Sequence, residues 1–495
     1  MNQKEDKSSS ILTPPHEYAF YPRIINPVKF SHAIIFSAEE EVRKSKQALI
    51  ESMPWTEVEM FNDPFSVSNY KSDKASVIIL DDTALIVVDA DKIRENNKDV
   101  VLVLLSSNDF INSSPPLITL EQYPYTAKAD LVFAIDKEEF VPNNILPSAA
   151  RCAEDLLNIE RYSKERRFIF LIVDDEPRWF SQFLPILYNI IGQRADVMVA
   201  RTFEEALKFL FGVVLESEID DDFYLSIGHG DDVVCLIADI FFPKGNDLNS
   251  DAGKDLIRLI NKYYPRIPVI IASKAREAHD LKDSAFILPK GDPGSLQTLK
   301  KYIHDFTGLG DFIIQPRAGE ELFRIKDIYQ MNEVLLEAEK GTKQAEILRE
   351  ILDMYAEKDA FSTWLYMHGF RTLGDVIRPQ HDRGLQLVSG LKEPIEREIS
   401  RIHSTPLVIE GKKVFNLHGL LDMLQNVEPQ KIQKLADNDV FSTWLDRKAF
   451  PELAEELRPI HGSGLKLKNA LAQTVEKWIN IYQQRGRLDP SKKHR

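Results

Sequence analysis

The chain is expected to fold as four domains. Two tandem α/β units come first, each a doubly wound, five-stranded parallel sheet. Two small, mainly helical repeat domains follow. Three observations carry this reading. Short apolar runs alternate with helical patterns through the first 308 residues, as parallel sheets covered on both faces require. At 495 residues the chain is too long for a single core. Beyond about residue 309 the strand pattern stops and sequence blocks begin to recur.

Composition narrows the classes. Hydrophobic content of 43% and charged content of 28% are those of a soluble globular protein. A net charge of −15 argues against broad binding to nucleic acid or acidic membranes. The two cysteines, Cys152 and Cys235, sit in unrelated segments. They build neither a disulfide framework nor a zinc spacing, which points to a reducing, cytoplasmic setting. "MNQKEDKSSSILTPPHEY" lacks the apolar run of a signal peptide, and no stretch reaches the length of a membrane span.

Residues 1–28 are polar and proline-bearing and are expected to form a flexible arm. The first α/β unit occupies 29–160. Its apolar runs are "HAIIF", "ASVIIL", "VVLVLL" and "DLVFAI", and "SAEEEVRKSKQALIESM" reads as helix. The third strand is open between "SVIILD" and "ALIVVD". "NNILPSAARCAEDLLNIERYSKERR" reads as a long closing helix.

The second unit, 166–308, repeats the plan more clearly. Its strands are read at 168–173, 195–200, 233–238, 267–272 and 285–289. "RWFSQFLPILYNIIG", "TFEEALKFLFGVVLES" and "AGKDLIRLINKYY" lie between them as helices, and "GSLQTLKKYIHDF" follows the last strand.

In the C-terminal part "DAFSTWL" (359–365) recurs as "DVFSTWL" (439–445), and "IRPQHDRGLQL" (377–387) as "LRPIHGSGLKL" (457–467). Both pairs are 80 residues apart. "AGEELFRI" (318–325) aligns with "EGKKVFNL" (410–417), 92 apart, which places about twelve extra residues in the first copy. Repeat module 1 is read as 309–404, module 2 as 405–487, and 488–495 as a basic, solvated tail. Phe361, Trp364 and Leu365 share one helical face, as do Phe441, Trp444 and Leu445, so both tryptophans are expected in cores. Asp359 and Asp439 stand where helix caps belong. Arg378-Pro379 and Arg458-Pro459 are expected to end the following helices. His381 and His461 recur without an acid or cysteine at ligand spacing, and read as loop residues.

The chemistry gathers where strands of the second unit end. Asp174 and Asp175 follow the first strand, Asp239 the third, Ser273 the fourth and Lys290 the last. In open parallel sheets, ligands bind beyond the carboxyl ends of the strands, so these groups are expected to converge. Three gathered carboxylates favour a hard divalent cation with oxygen ligands, here read as Mg²⁺. Such a site suits phosphoryl transfer to Asp239 as nucleophile, with Lys290 as a point-charge phosphate binder and Ser273 as a hydrogen-bond donor.

These residues and their order resemble the receiver domain of two-component response regulators, over roughly 166–308. The resemblance implies Asp239 as phosphoacceptor, Asp175 as direct metal ligand and Asp174 as an acid acting through water. It also implies the Phe241 backbone carbonyl as a ligand, Ser273 as switch hydroxyl and Lys290 as phosphate-contacting lysine. The chain departs from the family pattern in several places. Gly291 follows the lysine and Pro289 precedes it. Lys274 follows the switch hydroxyl. Ile287 stands at the aromatic switch position, with Phe286 one residue earlier on the other strand face. The loop from Pro243 to Gly253 is about six residues longer than usual. The first unit resembles a receiver without its acid pair, since Ser37 and Ala38 follow "HAIIF". Asp81, Ser106 and Lys137 echo the other positions. A structural or dimerising pseudo-receiver is expected there.

The function read from the sequence is a cytosolic response regulator, a phosphoacceptor rather than an enzyme. A histidine kinase is the expected donor and an unidentified protein the partner of the repeats. No nucleic-acid or membrane partner is expected, and a homodimer through the receiver domains is a further expectation. Two alternatives stand beside it. One is a phosphate sink without output, as in two-component-like anti-phage systems. The other is a scaffold with degenerate receivers.

Overall fold

The computed structural model describes residues 28–37, 42, 46–53, 56–107, 129–135, 145–162, 167–219, 228–245, 247–273, 285–290, 294–316, 320–402 and 404–485. The expected arm up to residue 27, Lys137, Lys274, Gly291 and the basic tail lie outside the described residues. Pro22–Gly310 forms one compact unit, and Asp311–Arg495 belongs to another.

The first sheet is built from β1 (His32–Phe36), β2 (Glu57–Met60), β3 (Ser76–Asp81), β4 (Val100–Ser107) and β5 (Leu131–Ile135). All pairs are parallel, in the order β2-β1-β3-β4-β5. The helices among them are α1 (Lys46–Ser52), α2 (Pro64–Ser68), α3 (Asp82–Val87) and α4 (Ala90–Asn96), and α5 (Ile145–Arg161) follows β5. The open choice of third strand resolves to Ser76–Asp81, because all six of its residues are buried. The rival "ALIVVD" has its first four residues in α3, which Asp81 caps by accepting from Ala84 N. Strand β2 has no apolar run: its sequence is EVEM, half exposed at the sheet edge. That is how edge strands are protected from mispairing, and why periodicity does not reveal it.

The second sheet comprises β6 (Ile169–Val173), β7 (Asp196–Ala200), β8 (Val233–Ala238), β11 (Val269–Ser273) and β12 (Phe286–Pro289), with order β12-β11-β8-β6-β7. Counting its own strands, this is the 2-1-3-4-5 order of a doubly wound fold, whose switch point lies between β6 and β8. All five strands lie where the apolar runs predict. The helices here are α6 (Pro177–Ile191), α7 (Phe203–Phe211), α8 (Ala252–Tyr263) and α9 (Ser295–Phe306). Helix α7 stops earlier than its sequence pattern suggests, at Gly212 in the left-handed region with φ 76°. The long loop after β8 folds into an antiparallel hairpin, β9 (Phe242–Lys244) and β10 (Asp247–Asn249).

Helix α5 serves both sheets. Its Glu154 accepts from Phe30 N and its Asn158 from Val28 N, tying down the chain before β1. On another face Asp155 accepts from Tyr188 OH at 2.8 Å and from Val197 N at 2.9 Å, and pairs with Arg151. The edge strand β7 is therefore covered by α5. Strand β5 packs against α6, with Phe133 and Phe180 edge to face and Ala134 N donating to Ser181 Oγ.

The other unit is mainly helical. Hairpin β13 (Phe312–Ile314) and β14 (Phe323–Ile325) leads into α10 (Ile328–Ala338), α11 (Lys343–Glu357), α12 (Ala360–Met367), α13 (Arg371–Ile377) and α14 (Leu385–Ile402). The same order follows as β15 (Leu407–Ile409), β16 (Lys412–Val414), α15 (Leu417–Asn426), α16 (Pro429–Asp437), α17 (Val440–Arg447), α18 (Pro451–Leu457) and α19 (Gly464–Gln484). The helix caps Asp327 and Asn416 are 89 residues apart, so the first copy has nine extra residues, not twelve. They fall in and between α10 and α11, the latter having 15 residues against nine in α16. Matching Phe323 to Phe415 misplaced the offset, since Phe415 lies beyond its strand and is exposed.

Trp364 and Trp444 are 0% and 1% exposed, as the helical stripe requires. Asp359 and Asp439 occupy the N-cap positions of α12 and α17 as expected, but without the side-chain cap bond. Both are left-handed, at φ 54° and 53°. Asp359 lies instead 3.0 Å from His381 Nε2 and 3.9 Å from Arg378 Nε, so His381 does have an acid partner. Asp439 and Asp446 face the fully buried Arg458. The two copies also touch each other. Lys448 Nζ donates to Ile402 O, Arg447 pairs with Glu398, and His368 Nδ1 lies 3.6 Å from Asp446.

Candidate phosphoacceptor site

Five apolar residues, all buried, carry β6 through the core to Asp174. Asp174 N donates to Ala200 O on one neighbour, and Asp239 N donates to Val173 O on the other. The backbone ladder therefore sets the acid pair beside Asp239 at the switch point of the sheet. Beyond Asp175, Glu176 accepts from Trp179 Nε1, and Pro177 opens α6, where its missing N–H has no consequence. Lys290 follows β12, and its N–H donates to Ser273 O at the end of β11.

The ammonium of Lys290 joins what the strands bring together. It lies 2.6 Å from Asp174 Oδ2 and 2.5 Å from Asp239 Oδ2. The side chains of Lys290 and Asp174 are 1% and 2% exposed, while that of Asp239 is 13% exposed. Asp239 is thus the member of the trio that an incoming group can reach. Its other oxygen, Oδ1, accepts from Ile240 N at 2.6 Å. Asp174 Oδ1 accepts from Glu176 N. Trp179 places its ring 5.8 Å from Lys290 Nζ. Gly253 at the start of α8 allows the loop to close, because a Cβ there would stand 2.4 Å from Asp239 O.

The charges are not balanced. Burial pushes the Asp174 carboxyl up to about 7, against Lys290 and with Asp239. Burial, then Asp174 and Glu176, push Asp175 up to about 7 as well. For Lys290, burial works against the charge, but Asp174 and Asp239 outweigh it and the pKa is raised. An oxygen donor set with more negative charge than its ammonium neutralises is the chemistry of a site for a hard divalent cation. The residues present fit that group.

Of the residues singled out from sequence, Asp174, Asp239 and Lys290 are in direct contact. Ser273 is 4% exposed at the adjacent strand end. Asp175 follows Asp174 and is more exposed, and Phe241 follows Asp239 by two residues, before β9. Phe286 stacks on Tyr302 at 4.1 Å, away from the position that Ile287 occupies. Two residues were not foreseen. Trp179 lies only five residues beyond Asp174. Arg201 directly follows β7, and the rule that located the others, a polar residue after each strand, points to it too.

In the first sheet Ser37, Asp81 and Ser106 also lie at the carboxyl edge. Ser37 Oγ donates to Asp81 Oδ2 at 2.8 Å, and Asp81 Oδ1 caps α3. Asp81 is 4% exposed. Both its oxygens serve the fold, and a serine stands where the second sheet has an acid.

No family model and no curated protein matches the chain. Two solved structures are similar. One is the C-terminus of Escherichia coli RcsC, with its linker region and phosphoreceiver domain. It has 16% identity, covers 56% of this chain and 94% of that one, and has a TM-score of 0.21. The other is the tagatose-6-phosphate ketose/aldose isomerase of Escherichia coli, with 9% identity, coverage of 59% and 87%, and a TM-score of 0.20. Scores this low carry no argument, and the description of the fold rests on strand order and register. Among the described residues no helix is long and apolar enough to cross a membrane.

Proposed function

We propose that this protein is a phosphoacceptor of the two-component kind, with 166–308 as its receiver domain and 29–160 as a pseudo-receiver. The single observation that carries the reading is the Asp174–Lys290–Asp239 contact at the switch point of a 2-1-3-4-5 sheet. A carboxylate oxygen of Asp239 attacks the phosphorus of a phosphohistidine. The phosphorus–nitrogen bond breaks, and its electron pair stays on the imidazole of the donor, which takes a proton from solvent. Lys290 holds Asp239 in place and meets the charge of the arriving oxygens. Asp175, Asp239 and the Phe241 carbonyl would hold Mg²⁺, with Asp174 acting mainly through water, and the cation would supply charge neutralisation for the transferred group when bound. The hydroxyl of Ser273, at the end of β11, would donate a hydrogen bond to an oxygen of the transferred group.

On this reading the first sheet is structural, since Asp81 is committed to a helix cap. A homodimer through the receiver domains has to avoid β5, which is covered by α6 within the chain. The C-terminal unit is the part that binds a protein partner. The phosphate-sink alternative is favoured by one observation: Phe286 is stacked on Tyr302, and Ile287 stands where an aromatic switch is expected. Incubation with acetyl phosphate tests the proposal. Intact mass should show one phosphoryl adduct with Mg²⁺ and almost none in excess chelator. Equal labelling in both contradicts the metal-dependent reading.

A further inference from the structure

We propose that Arg201 is a resident counter-cation of the acid pair and sets how tightly the site takes a divalent cation. The proposal rests on the phosphoacceptor reading, since the same acids are assigned to the metal. Strand β7 runs beside β6 with Ala200 opposite Val173. Arg201, the next residue, therefore flanks Asp174 and Asp175 on the side away from Asp239. Its backbone N–H donates to Glu205 Oε2 at 2.6 Å. Its side-chain Nε is closed off from solvent and has no acceptor among the described residues. Burial disfavours the guanidinium charge, while the carboxylates of Glu205 and then Asp175 favour it. A guanidinium does not shed its proton in a protein. The charge is therefore held at this edge by a field, not by a direct bond to the acid pair.

The acid pair thus lies between two cations. Lys290 is bonded to Asp174 from the Asp239 side, and Arg201 stands on the other. In the metal-free chain the two cations offset only part of the burial cost, since both carboxyls are still pushed up to about 7. The cations also oppose any further positive charge. A divalent cation arriving between the carboxylates meets the repulsion of Arg201, whose Nε has no acceptor among the described residues. Arg201 acts through the acids, and is a positioning residue for charge.

Mg²⁺ titration of the full chain tests this, read by the fluorescence of Trp179, with Trp179→Phe to assign the signal. Arg201→Gln should bind Mg²⁺ about tenfold more tightly than wild type, the scale of one unit charge removed at short range in a partly solvated site. Arg201→Lys keeps the charge and should stay within about twofold of wild type. Unchanged or weaker binding in Arg201→Gln overturns the proposal and leaves the phosphoacceptor reading intact. Absence of Mg²⁺ binding in wild type and variants alike overturns both. Should the glutamine variant fail to fold, Arg201→His at alkaline pH, where the imidazole is neutral, is read by the same criteria.

Discussion

Lys290 Nζ lies 2.5 Å from Asp239 Oδ2, with the lysine side chain 1% exposed. The same nitrogen holds Asp174 at 2.6 Å. Removing it strands two acids in a cleft that water scarcely enters. Lys290→Ala should cost roughly 3 kcal/mol of stability in metal-free buffer, the scale of a broken buried pair. Urea unfolding reads the change. An unaltered midpoint would show that the contact does not hold this edge together.

Gly253 gives a second, steric handle on the same loop. A methyl group there meets Asp239 O at 2.4 Å and Ile240 Cα at 2.6 Å, both backbone atoms that cannot swing aside. Gly253→Ala should cost about 2 kcal/mol and slow phosphorylation, because it displaces the acceptor. Wild-type labelling rate and stability in this variant would mean that the close approach is not required.

Much of this was legible in the sequence, and the failures have physical causes. The strands of the second sheet are mostly buried, β6 and β11 throughout, and read as apolar runs, so Asp174, Asp239 and Lys290 are placed at one edge by sequence alone. Strand β2 was missed because an edge strand carries charge by necessity. Arg201 stands directly after the second strand, but an arginine there carries no metal-ligand or phosphoacceptor signature of its own. Asp359 and Asp439 stand at N-cap positions, but position relative to a helix does not reveal the left-handed backbone that accompanies the missing side-chain cap bond. The Lys448 contact between the repeats has no signal in the sequence, since it meets a backbone carbonyl and carbonyls are anonymous there.

Contacts between the repeats change what a core mutation should do. Trp444→Ala should cost roughly 3–5 kcal/mol, as for other large buried aromatics. Because Lys448 and Arg447 reach Ile402 and Glu398 of the first copy, amide exchange should also quicken in α14. The Pro22–Gly310 unit should keep its exchange pattern. Faster exchange confined to residues 405–485 would show that the copies are energetically separate.

Asp196 supplies a pH test outside the site. Burial, then Asp155, push its carboxyl up to about 7, against Arg151 and Arg167. Between about pH 4 and 7 the native state then holds a proton that the unfolded chain has released. Stability from this group falls as pH rises through that window. Its side chain is 22% exposed, so the effect is about 1 kcal/mol, well below the full shift. Asp196→Asn should flatten the fall, measured by urea midpoints at about pH 5 and about pH 8. A pH profile parallel to wild type would contradict the assignment.

The most direct measurement is where the phosphoryl group lands. Wild type and Asp239→Asn are incubated with acetyl phosphate and Mg²⁺, and adducts are read by intact mass and peptide mapping. The account predicts one adduct on the wild type, within the peptide containing Asp239, and none on the variant. An adduct that survives in Asp239→Asn, or that maps to Asp81 in the wild type, contradicts it.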